Sequence, residues 1–379
     1  MDRWHAETFD GNPASLGADT RKQNRLSILF AGDTSFGENY QDIRERRGVE
    51  NILKSRGYSH SFVNFSSMLN EADLTIANLE TPITDIETSP FEGKKEYIHW
   101  SDVEQAPEQL AQHKICALSL ANNHAYDFGA EGLQQTLRVL GNQGLLCFGA
   151  GHDDRTAAEP LHVRADIGGR QVRIAVFGAY RAPPGAMRKF DLAAQTDKVG
   201  LAVLDPRRIG EQIRILRAED PKLLAIAFPH WGSNYAWRTD RQSQLADQLL
   251  DAGIDLILGH GAHMLQEIEQ RHRRWVVFGL GNFVFNAPGR YKKLDAPPFS
   301  FVANLIIASG DDGLSISVRL YPIVTDNRKT RYQTRFVTSG EYRRVLYLLA
   351  AQREWQNLER LRSGNDDTGA YLELPIDIL

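Results

Sequence analysis

The segment LSILFAGDT, residues 26–34, is a short, largely apolar run that ends in a small polar turn. The same arrangement recurs in LTIANLE (74–80), CALSLANNH (116–124), KLLAIAFPHWG (222–232) and DLILGHGAH (255–263). Continuous apolar runs of this length are typical of strands that are covered on both faces. Helical patterns lie between several of them, at residues 129–141 and 241–252, where leucines share one face. This alternation of strand and helix predicts a layered α/β fold.

Further patterns complete the prediction of the fold. Hairpins are expected at residues 161–177, around Gly168-Gly169, and at residues 266–279. Strands are expected at 301–308 and 316–324, and a helix that includes Trp355 at 341–361. We therefore expect a flexible lead-in over 1–25, one large domain over 26–330 and a helical extension over 331–379 that packs on the same domain.

Composition excludes several classes of protein. The 379 residues include 44 Lys and Arg and 48 Asp and Glu, for a net charge of -4, which argues against a protein that mainly binds nucleic acid. Two cysteines, Cys116 and Cys147, exclude a disulfide scaffold and a cysteine-based zinc cluster. The polar N-terminus lacks the apolar stretch of a signal peptide, and no apolar run is long enough to span a bilayer. We expect a cytoplasmic protein with no membrane span.

The five polar turns carry the residues that suggest chemistry. Ligands of open α/β sheets bind beyond the carboxyl ends of the strands, so these turns are expected to converge on one pocket. Their polar side chains are Asp33, Glu80, Asn123, His124, His230, His260 and His263. Carboxylate, amide and imidazole donors without a thiolate suit Mn, Fe or Zn, and a bridging carboxylate suits two such ions. The sequence predicts a site for two divalent metal ions.

Each of these residues also has a purely structural interpretation. Asp33 can form a turn or cap a helix, and Glu80 can be a solvated loop charge. Asn122 and Asn123 can tolerate left-handed backbone or cap a helix, and a single histidine such as His230 is more often a hydrogen-bonded structural residue. A coincidence of suitable donors at five strand ends is less probable than a common site.

Six segments also carry a resemblance to a known family. They are GDTSFG (32–37), ADLTIANLETPIT (72–84), LSLANNHAYDFGAEGLQQTLRVL (118–140), FPHWG (228–232), DLILGHGAHMLQEIE (255–269) and FGLGNFVF (278–285). In this order and at these separations the segments resemble the CapA family of bacterial capsule and poly-γ-glutamate synthesis proteins. That family is similar in turn to the calcineurin-like metallophosphoesterases.

The resemblance implies a four-layer α-β-β-α sandwich, metallophosphoesterase-like, with a two-metal centre. It implies metal ligands at Asp33, Glu80, Asn123, His230, His260 and His263, with Glu80 at the position of the usual bridging aspartate. His124 would face the substrate. A biosynthetic partner enzyme is also implied, because CapA proteins act beside a synthetase.

Three departures from the family patterns stand out. The usual Asp-x-His motif is Asp33-Thr34-Ser35 here, so one histidine ligand is missing. The usual GHHPH is GHGAH, without the central histidine and proline. Many members carry an N-terminal membrane anchor, and we expect no counterpart of it here and no direct role in capsule export.

The remaining candidates are residues near the expected pocket. Adjacent to Asn123, His124 is predicted to protonate a leaving group or stabilise the transition state, while Asp127 either orients His124 or caps the next helix. We predict substrate contacts at Asn122, His99, Arg181 and Trp231. For Trp231, as for Tyr235 and Trp237, buried packing ranks above a place in the pocket wall. Asn282 is expected to support the site without binding metal.

Three functions fit these features. The first is a metal-dependent hydrolase in which two cations activate a water molecule that attacks a phosphoester or related small-molecule substrate. The second is metal-dependent amide chemistry, as hydrolase or ligase, on γ-glutamyl or other peptide-like substrates, because activated water also attacks an acyl carbon. The third is a non-catalytic accessory protein of capsule or polyglutamate synthesis, which the incomplete ligand set would permit.

Overall fold

The computed structural model describes residues 24–183, 185–352 and 360–377, together with short strands at residues 4–6 and 15–18. The first half of the strands, in chain order, comprises β1 (Trp4–Ala6), β2 (Ser15–Ala18), β3 (Arg25–Ser35), β4 (Leu74–Leu79), β5 (Ile115–Ser119), β6 (Leu146–Phe148), β7 (Ala150–Gly151), β8 (Leu161–Ile167), β9 (Arg170–Tyr180) and β10 (Gly200–Leu201). The second half comprises β11 (Leu224–His230), β12 (Leu256–Leu258), β13 (Ile268–Arg271), β14 (Arg274–Val277), β15 (Asn282–Phe285), β16 (Phe299–Gly310), β17 (Gly313–Val324), β18 (Arg335–Phe336), β19 (Arg362–Asn365) and β20 (Ala370–Ile376).

Helices lie between these strands. The α-helices of the described chain are α1 (Glu38–Arg46), α2 (Ile52–Arg56), α3 (Ser66–Glu71), α4 (Gln105–Gln112), α5 (Gly129–Asn142), α6 (Asp154–Ala158), α7 (Ala186–Phe190), α8 (Pro206–Glu219), α9 (Asp240–Asp251), α10 (Asn327–Thr330) and α11 (Ser339–Ala350). A 3-10 helix spans Tyr58–Phe65.

Most strands belong to two large sheets. The ten-stranded sheet has the order β19-β20-β17-β16-β3-β4-β5-β6, with β15 paired to β3 and β18 to β17. Strands β3 to β6 run parallel, whereas β16 and β17 are antiparallel. The eight-stranded sheet has the order β1-β2-β8-β9-β11-β12-β14-β13, and its central strands β9, β11, β12 and β14 run parallel. Each sheet therefore presents a row of parallel strand ends at one edge.

The two sheets pack face to face through alternating residues. Along β3, Leu26, Ile28 and Phe30 enter the core between the sheets, while Leu29 and Ala31 point into the opposite core. The rings of Phe30 and Phe228 meet across the sheets at 5.7 Å. Burial of a leucine or phenylalanine side chain contributes about 1.5–3 kcal/mol. The two-residue period thus gives every central strand two buried faces.

Helices cover the outer face of each sheet. Helices α3, α4 and α5 pack through residues such as Leu69, Leu110 and Leu133 on the ten-stranded sheet. Helices α8 and α9 pack through residues such as Ile213 and Leu249 on the eight-stranded sheet. The layers are helix, sheet, sheet and helix, which confirms the predicted four-layer α-β-β-α sandwich.

The predicted elements of the central chain are confirmed, with one informative shift. The hairpin of β8 and β9 turns at Gly168-Gly169, and that of β13 and β14 turns between Arg271 and Arg274. Strand β3 runs on to Ser35, four residues beyond the predicted run that ends at Ala31. Its extension pairs with β15, where Asn282 lies opposite Asp33. Asp33 therefore lies within a strand and not in a turn.

The two ends of the chain differ from their predictions. Within the lead-in of residues 1–25, β1 and β2 are strands, and β2 pairs with the edge strand β8, whose backbone groups would otherwise lack partners. The other residues of the lead-in up to residue 23 lie outside the described residues, as does Trp355. Helix α11 ends at Ala350, and the helical prediction is wrong for residues 362–376. These form the hairpin of β19 and β20, because the outer edge of β17 offers backbone partners to β20.

Over the part of the chain that the structure describes, none of the helices combines the length and the apolar character needed to cross a bilayer.

Candidate functional site

Asp33 lies at the centre of the site. It is fully buried at the carboxyl-terminal part of β3. Asn78 donates a hydrogen bond from Nδ2 to Asp33 Oδ1 at 3.0 Å, and the backbone N–H of Gly261 donates to Oδ2 at 3.1 Å. Both donors fix the orientation of the carboxylate towards the loops that follow β11 and β12.

His230 and His260 come together because their strands are neighbours. His230 is the last residue of β11, and His260 follows β12. The two residues pair with each other as an isolated parallel bridge. Their Nδ1 atoms are 3.1 Å apart. Asp33 Oδ1 lies 3.3 Å from Nδ1 of His260 and 3.7 Å from Nδ1 of His230. One carboxylate oxygen from the ten-stranded sheet and two imidazole nitrogens from the eight-stranded sheet, all three able to bind a metal, are thus within 3.7 Å of one another.

Glu80 and His263 form the other half of the site. Glu80 follows β4 and is fully buried, and neither of its carboxylate oxygens has a hydrogen-bond partner in the described structure. His263 has a φ of 60°, a left-handed conformation that is uncommon for a residue with a side chain and often marks a functional site. Its Nδ1 lies 3.4 Å from Asp33 Oδ2 and 3.8 Å from Glu80 Oε2.

These side chains form two groups that could each hold a cation. The first group contains Asp33, His230 and His260, and the second contains Asp33, Glu80 and His263; within each group the ligand atoms lie within 4.8 Å of one another. Asp33, and not Glu80, is common to both groups, which differs from the expectation that Glu80 takes the bridging position. Oxygen and imidazole donors fit Mn, Fe or Zn. A buried carboxylate without partners is costly, and a cation would satisfy it, so the residues fit a metal centre.

Electrostatics in the site reflect this concentration of charge. Burial opposes ionisation of Asp33, but hydrogen bonds with His260 and His263 outweigh it and hold the pKa of Asp33 well below its usual range. Burial and the charge of Asp33 raise the pKa of Glu80 well above its usual value. Burial lowers the pKa of His230 to about 3. For His263, burial is outweighed by the charges of Glu80 and Asp33, which raise its pKa to about 9. A bound cation would compete with this proton on His263.

A glycine explains one departure from the family pattern. Gly261 occupies the position of the central histidine in GHHPH and has a φ of +100°. A Cβ atom there would lie 2.9 Å from Nε2 of His230 and 3.0 Å from the carbonyl of Trp231. A side chain at this position would have to displace His230 or the backbone of Trp231, and the GHGAH sequence leaves His260 and His263 as the two imidazoles of this loop.

His124 lies beside these groups in a separate network. Its Nδ1 is 2.7 Å from Asp127 Oδ2, and Lys95 contacts the other oxygen of Asp127. The residue at the N-cap of α5 is Phe128, so Asp127 contacts the imidazole and does not cap the helix. Burial, together with the charge of Lys95, lowers the pKa of His124 well below its usual value. Burial raises the pKa of Asp127.

His99 supports this network. Its ring stacks on His124 with centroids 3.6 Å apart and planes 3° from parallel. Its Nδ1 lies 3.1 Å from the carbonyl oxygen of Glu80, and its Nε2 lies 3.1 Å from the hydroxyl of Tyr40. Both ring nitrogens have partners within the chain and the ring stacks on His124, while the substrate contact expected of His99 stays a prediction.

The two asparagines before His124 differ. Asn122 is fully buried; it donates to Asn78 Oδ1 and to the carbonyl of Leu79, and it accepts from the backbone of His124. Its side-chain amide thus joins the turn to β4 through Asn78 and Leu79, and the substrate contact expected of it stays a prediction. Asn123 lines a cavity, and its role as a ligand stays a prediction.

A cavity of about 230 Å³ adjoins the site. Its wall residues include Phe91, Lys95, Tyr126, Arg181, Phe190 and Leu192, and it reaches His230 and Gly261. Arg181 thus lies where a substrate contact is possible. Trp231 borders the cavity but is 1% exposed and donates from Nε1 to the carbonyl of Phe278 at 2.8 Å, which makes packing its main role.

Sequence reasoning missed two residues of the site, Asn78 and Lys95. Asn78 lies in β4, two positions before Glu80, and alternate residues of an extended segment point the same way, so the pattern contained a signal for Asn78. Lys95 lies in an irregular loop, and no pattern in the sequence links it to Asp127.

The comparisons with known proteins agree with the motifs. A family model described as "Bacterial capsule synthesis protein PGA_cap" matches residues 27–287. The capsule biosynthesis protein CapA of Bacillus anthracis is 28% identical over 272 residues, which make up 70% of this chain and 61% of that protein. A probable polyglutamine synthesis accessory protein of Mycobacterium tuberculosis is 31% identical over 224 residues, 57% of each chain.

This chain therefore spans less than two thirds of the length of either relative. A solved structure, a novel phosphatase from Mycoplasma pneumoniae, is similar with a TM-score of 0.40 and 10% identity over 82% of this chain and 97% of that one. The family match covers well over half of the chain and includes Asp33, Glu80, His230, His260 and His263. The resemblance is confirmed, and the chain belongs to the bacterial capsule synthesis family PGA_cap.

Proposed function

We propose that this protein is a metal-dependent hydrolase that cleaves phosphoesters. The observation that carries the proposal is the pair of donor groups that share Asp33, with both oxygens of Glu80 buried and without partners. When bound, two divalent cations would supply Lewis-acid activation of a water molecule and of the phosphoryl group. Asp33, Glu80, His230, His260 and His263 would hold them.

In this proposal His124 is the general acid that protonates the leaving group. Its Nδ1 faces Asp127, which leaves Nε2 to exchange a proton with the substrate. The lowered pKa keeps the imidazole neutral in the free protein, and the negative charge of an approaching phosphoryl group favours uptake of a proton from solvent on Nε2, which forms the imidazolium. That proton then moves from Nε2 to the oxygen of the departing alcohol. Lys95 fixes Asp127, and Asp127 fixes the ring of His124.

The proposal is tested with purified protein loaded with Mn²⁺, and in parallel with Zn²⁺ or Fe²⁺. We expect turnover of p-nitrophenyl phosphate, and a loss of about 10³-fold or more in Asp33→Ala and in His260→Ala, because each removes a ligand of the reacting centre. Asp311→Ala, at an exposed turn, is the matched control. Turnover that is indifferent to both substitutions and to a chelator would overturn the proposal.

An accessory role without catalysis is the second candidate, and the name of the Mycobacterium tuberculosis relative favours it. In that case the chain would act beside a biosynthetic partner enzyme. Metal analysis separates the two: two bound cations together with turnover support the hydrolase, whereas no bound cation and no turnover support the accessory role. Poly-γ-glutamate and γ-glutamyl dipeptides, assayed alongside by mass spectrometry, distinguish amide chemistry from phosphoester cleavage.

A further inference from the structure

The cavity beside the donor groups lies between two loops, one from each sheet. The loop between β4 and α4 contributes Phe91 and Lys95, and the segment after β9 contributes Arg181 and Phe190. The cavity reaches His230, so whatever occupies it is next to the first donor group. It is therefore placed to receive the part of a substrate that extends away from the reacting phosphorus.

Aromatic side chains form one wall of this cavity. The rings of Phe91 and Phe190 meet edge to face at 5.3 Å, and Phe91 lies 6.4 Å from Tyr126. Phe91 and Phe190 are only partly buried, so part of each ring faces the open space. Exposed aromatic surface beside a reaction site is typical of a contact for an apolar group of the ligand.

The charged residues that line the cavity are basic. No acidic side chain of the described chain lines it, whereas Lys95 and Arg181 do. Lys95 is paired with Asp127, but the guanidinium of Arg181 has no carboxylate partner within the described ranges, and it contacts the carbonyl of Ala182. The backbone N–H of Arg181 donates to the carbonyl of His230 at 2.9 Å. This contact places the backbone of Arg181 beside His230, a member of the first group.

We propose that the cavity binds the leaving group of the phosphoester and selects an aromatic ring, while Arg181 contacts the phosphoryl group. This inference rests on the proposed function. An apolar cavity of about 150 Å³ is sufficient for benzene, so the volume of about 230 Å³ accommodates one substituted ring or a small bicyclic ring. The substrate class is thus an aryl phosphoester, or the phosphoester of an alcohol with a flat ring close to the reacting oxygen.

Binding and turnover test this class separately. Isothermal titration of the Mn²⁺-loaded protein with phenylphosphonate and with methylphosphonate compares a ring with a methyl group on the same anion. We expect phenylphosphonate to bind about tenfold more tightly, and Phe190→Ala and Phe91→Ala to reduce this preference to about twofold. Arg181→Met should weaken both phosphonates by a similar factor. Equal affinity of the unmodified protein for the two phosphonates would overturn the inference.

Controls keep the outcome interpretable. Tyr347→Ala removes an aromatic ring that is 64% exposed and lies on α11, away from the cavity, and should leave the preference unchanged. Phe190→Leu keeps an apolar side chain and shows whether the ring itself is required, and cation content confirms that each variant has folded. Turnover of phosphoesters without a preference for the ring contradicts the inference alone. A preference in binding without any turnover contradicts the proposed hydrolase.

Discussion

Two buried glutamates near the site, Glu38 and Glu80, differ in the hydrogen-bond partners of their carboxylates. Both are buried, with 4% of Glu38 and none of Glu80 exposed. Glu38, at the start of α1, accepts hydrogen bonds from the hydroxyl of Ser101 at 2.8 Å, the backbone N–H of Asp102 at 3.0 Å and the hydroxyl of Tyr58 at 3.3 Å. Glu80 accepts none in the described structure, although two histidine nitrogens lie 3.8 Å from its oxygens.

The difference lies in what each carboxylate is available to bind. A buried carboxylate surrounded by donors of its own chain ties α1 to the loop before α4 and needs nothing else. The carboxylate of Glu80 accepts no hydrogen bond and lies beside Asp33 and imidazoles. Its burial is costly unless a partner from outside the chain, such as a cation, binds it. Burial is common to both glutamates, so what distinguishes Glu80 from Glu38 is that its oxygens accept no hydrogen bond in the described structure.

The largest expected effect compares the two glutamates directly. Glu80→Gln should lose one bound cation and about 10³-fold in phosphoester turnover, because it removes a donor from the second group. Glu38→Gln, the matched substitution, should retain both cations and most of the turnover. Metal content by mass spectrometry and steady-state kinetics measure both. Loss of cations in both variants would show that the comparison is not specific to Glu80.

The next effect is the pH dependence of stability that Glu38 contributes. Burial raises the pKa of Glu38 to about 7, from 4.5 in the unfolded chain. Between these values the folded state binds the additional proton, so stability falls as pH rises from about 4.5 to about 7, by about 3 kcal/mol in total. Glu38→Gln should abolish this decline. Urea unfolding of both proteins at pH 5 and pH 7.5 measures it, and parallel pH curves would contradict it.

A smaller effect, on kcat, is expected for Asp127, which contacts His124 and belongs to neither group of candidate metal ligands. Asp127→Asn should lower kcat by about 10²-fold, because it removes the negative charge that faces Nδ1 of His124 and favours the protonated ring. Cation content should stay the same, since Asp127 belongs to neither donor group. Loss of bound cations in this variant would show that Asp127 supports the metal centre and would contradict its assignment as the partner of His124.

The smallest expected effect concerns Tyr291, which lies outside the residues matched by the family model and contacts His263. The hydroxyl of Tyr291 donates to the carbonyl of His263 at 2.9 Å and accepts from Asn282, whose Oδ1 lies 2.9 Å from His263 Nδ1. Tyr291→Phe should weaken cation binding about tenfold, because residues that orient a ligand have effects of this size. Titration of the metal into Tyr291→Phe and the unmodified protein measures the change. An unchanged affinity would show that Asn282 alone orients His263.

Much of the candidate site was open to prediction because its donors follow apolar runs. The strand-end positions of Glu80, His230 and His260 required only the recognition of buried strands and the rule that ligands bind beyond their carboxyl ends. The role of Asp33 as the shared donor was not predictable in this way. It depends on the pairing of β3 with β15 and on the distance between the two sheets, and neither is encoded in a local pattern.

The same limit applies to other contacts that no local pattern reveals. Asn122 and His99 have the side chains expected of substrate contacts, but their hydrogen-bonding groups meet partners that are distant in sequence, such as Asn78 and Tyr40. The hairpin of β19 and β20 forms because β17 has an open edge, a property of the assembled sheet.

Local order along the chain was determined by the amino-acid sequence itself: apolar periodicity specifies which segments are strands or helices, and therefore where each polar turn falls. The tertiary structure alone decided which of those turns face one another, which carboxylate both groups share, and which buried groups already have partners. The physical reason is that periodicity acts over a few residues, whereas sheet order, register and packing distance arise from contacts between segments far apart in the chain.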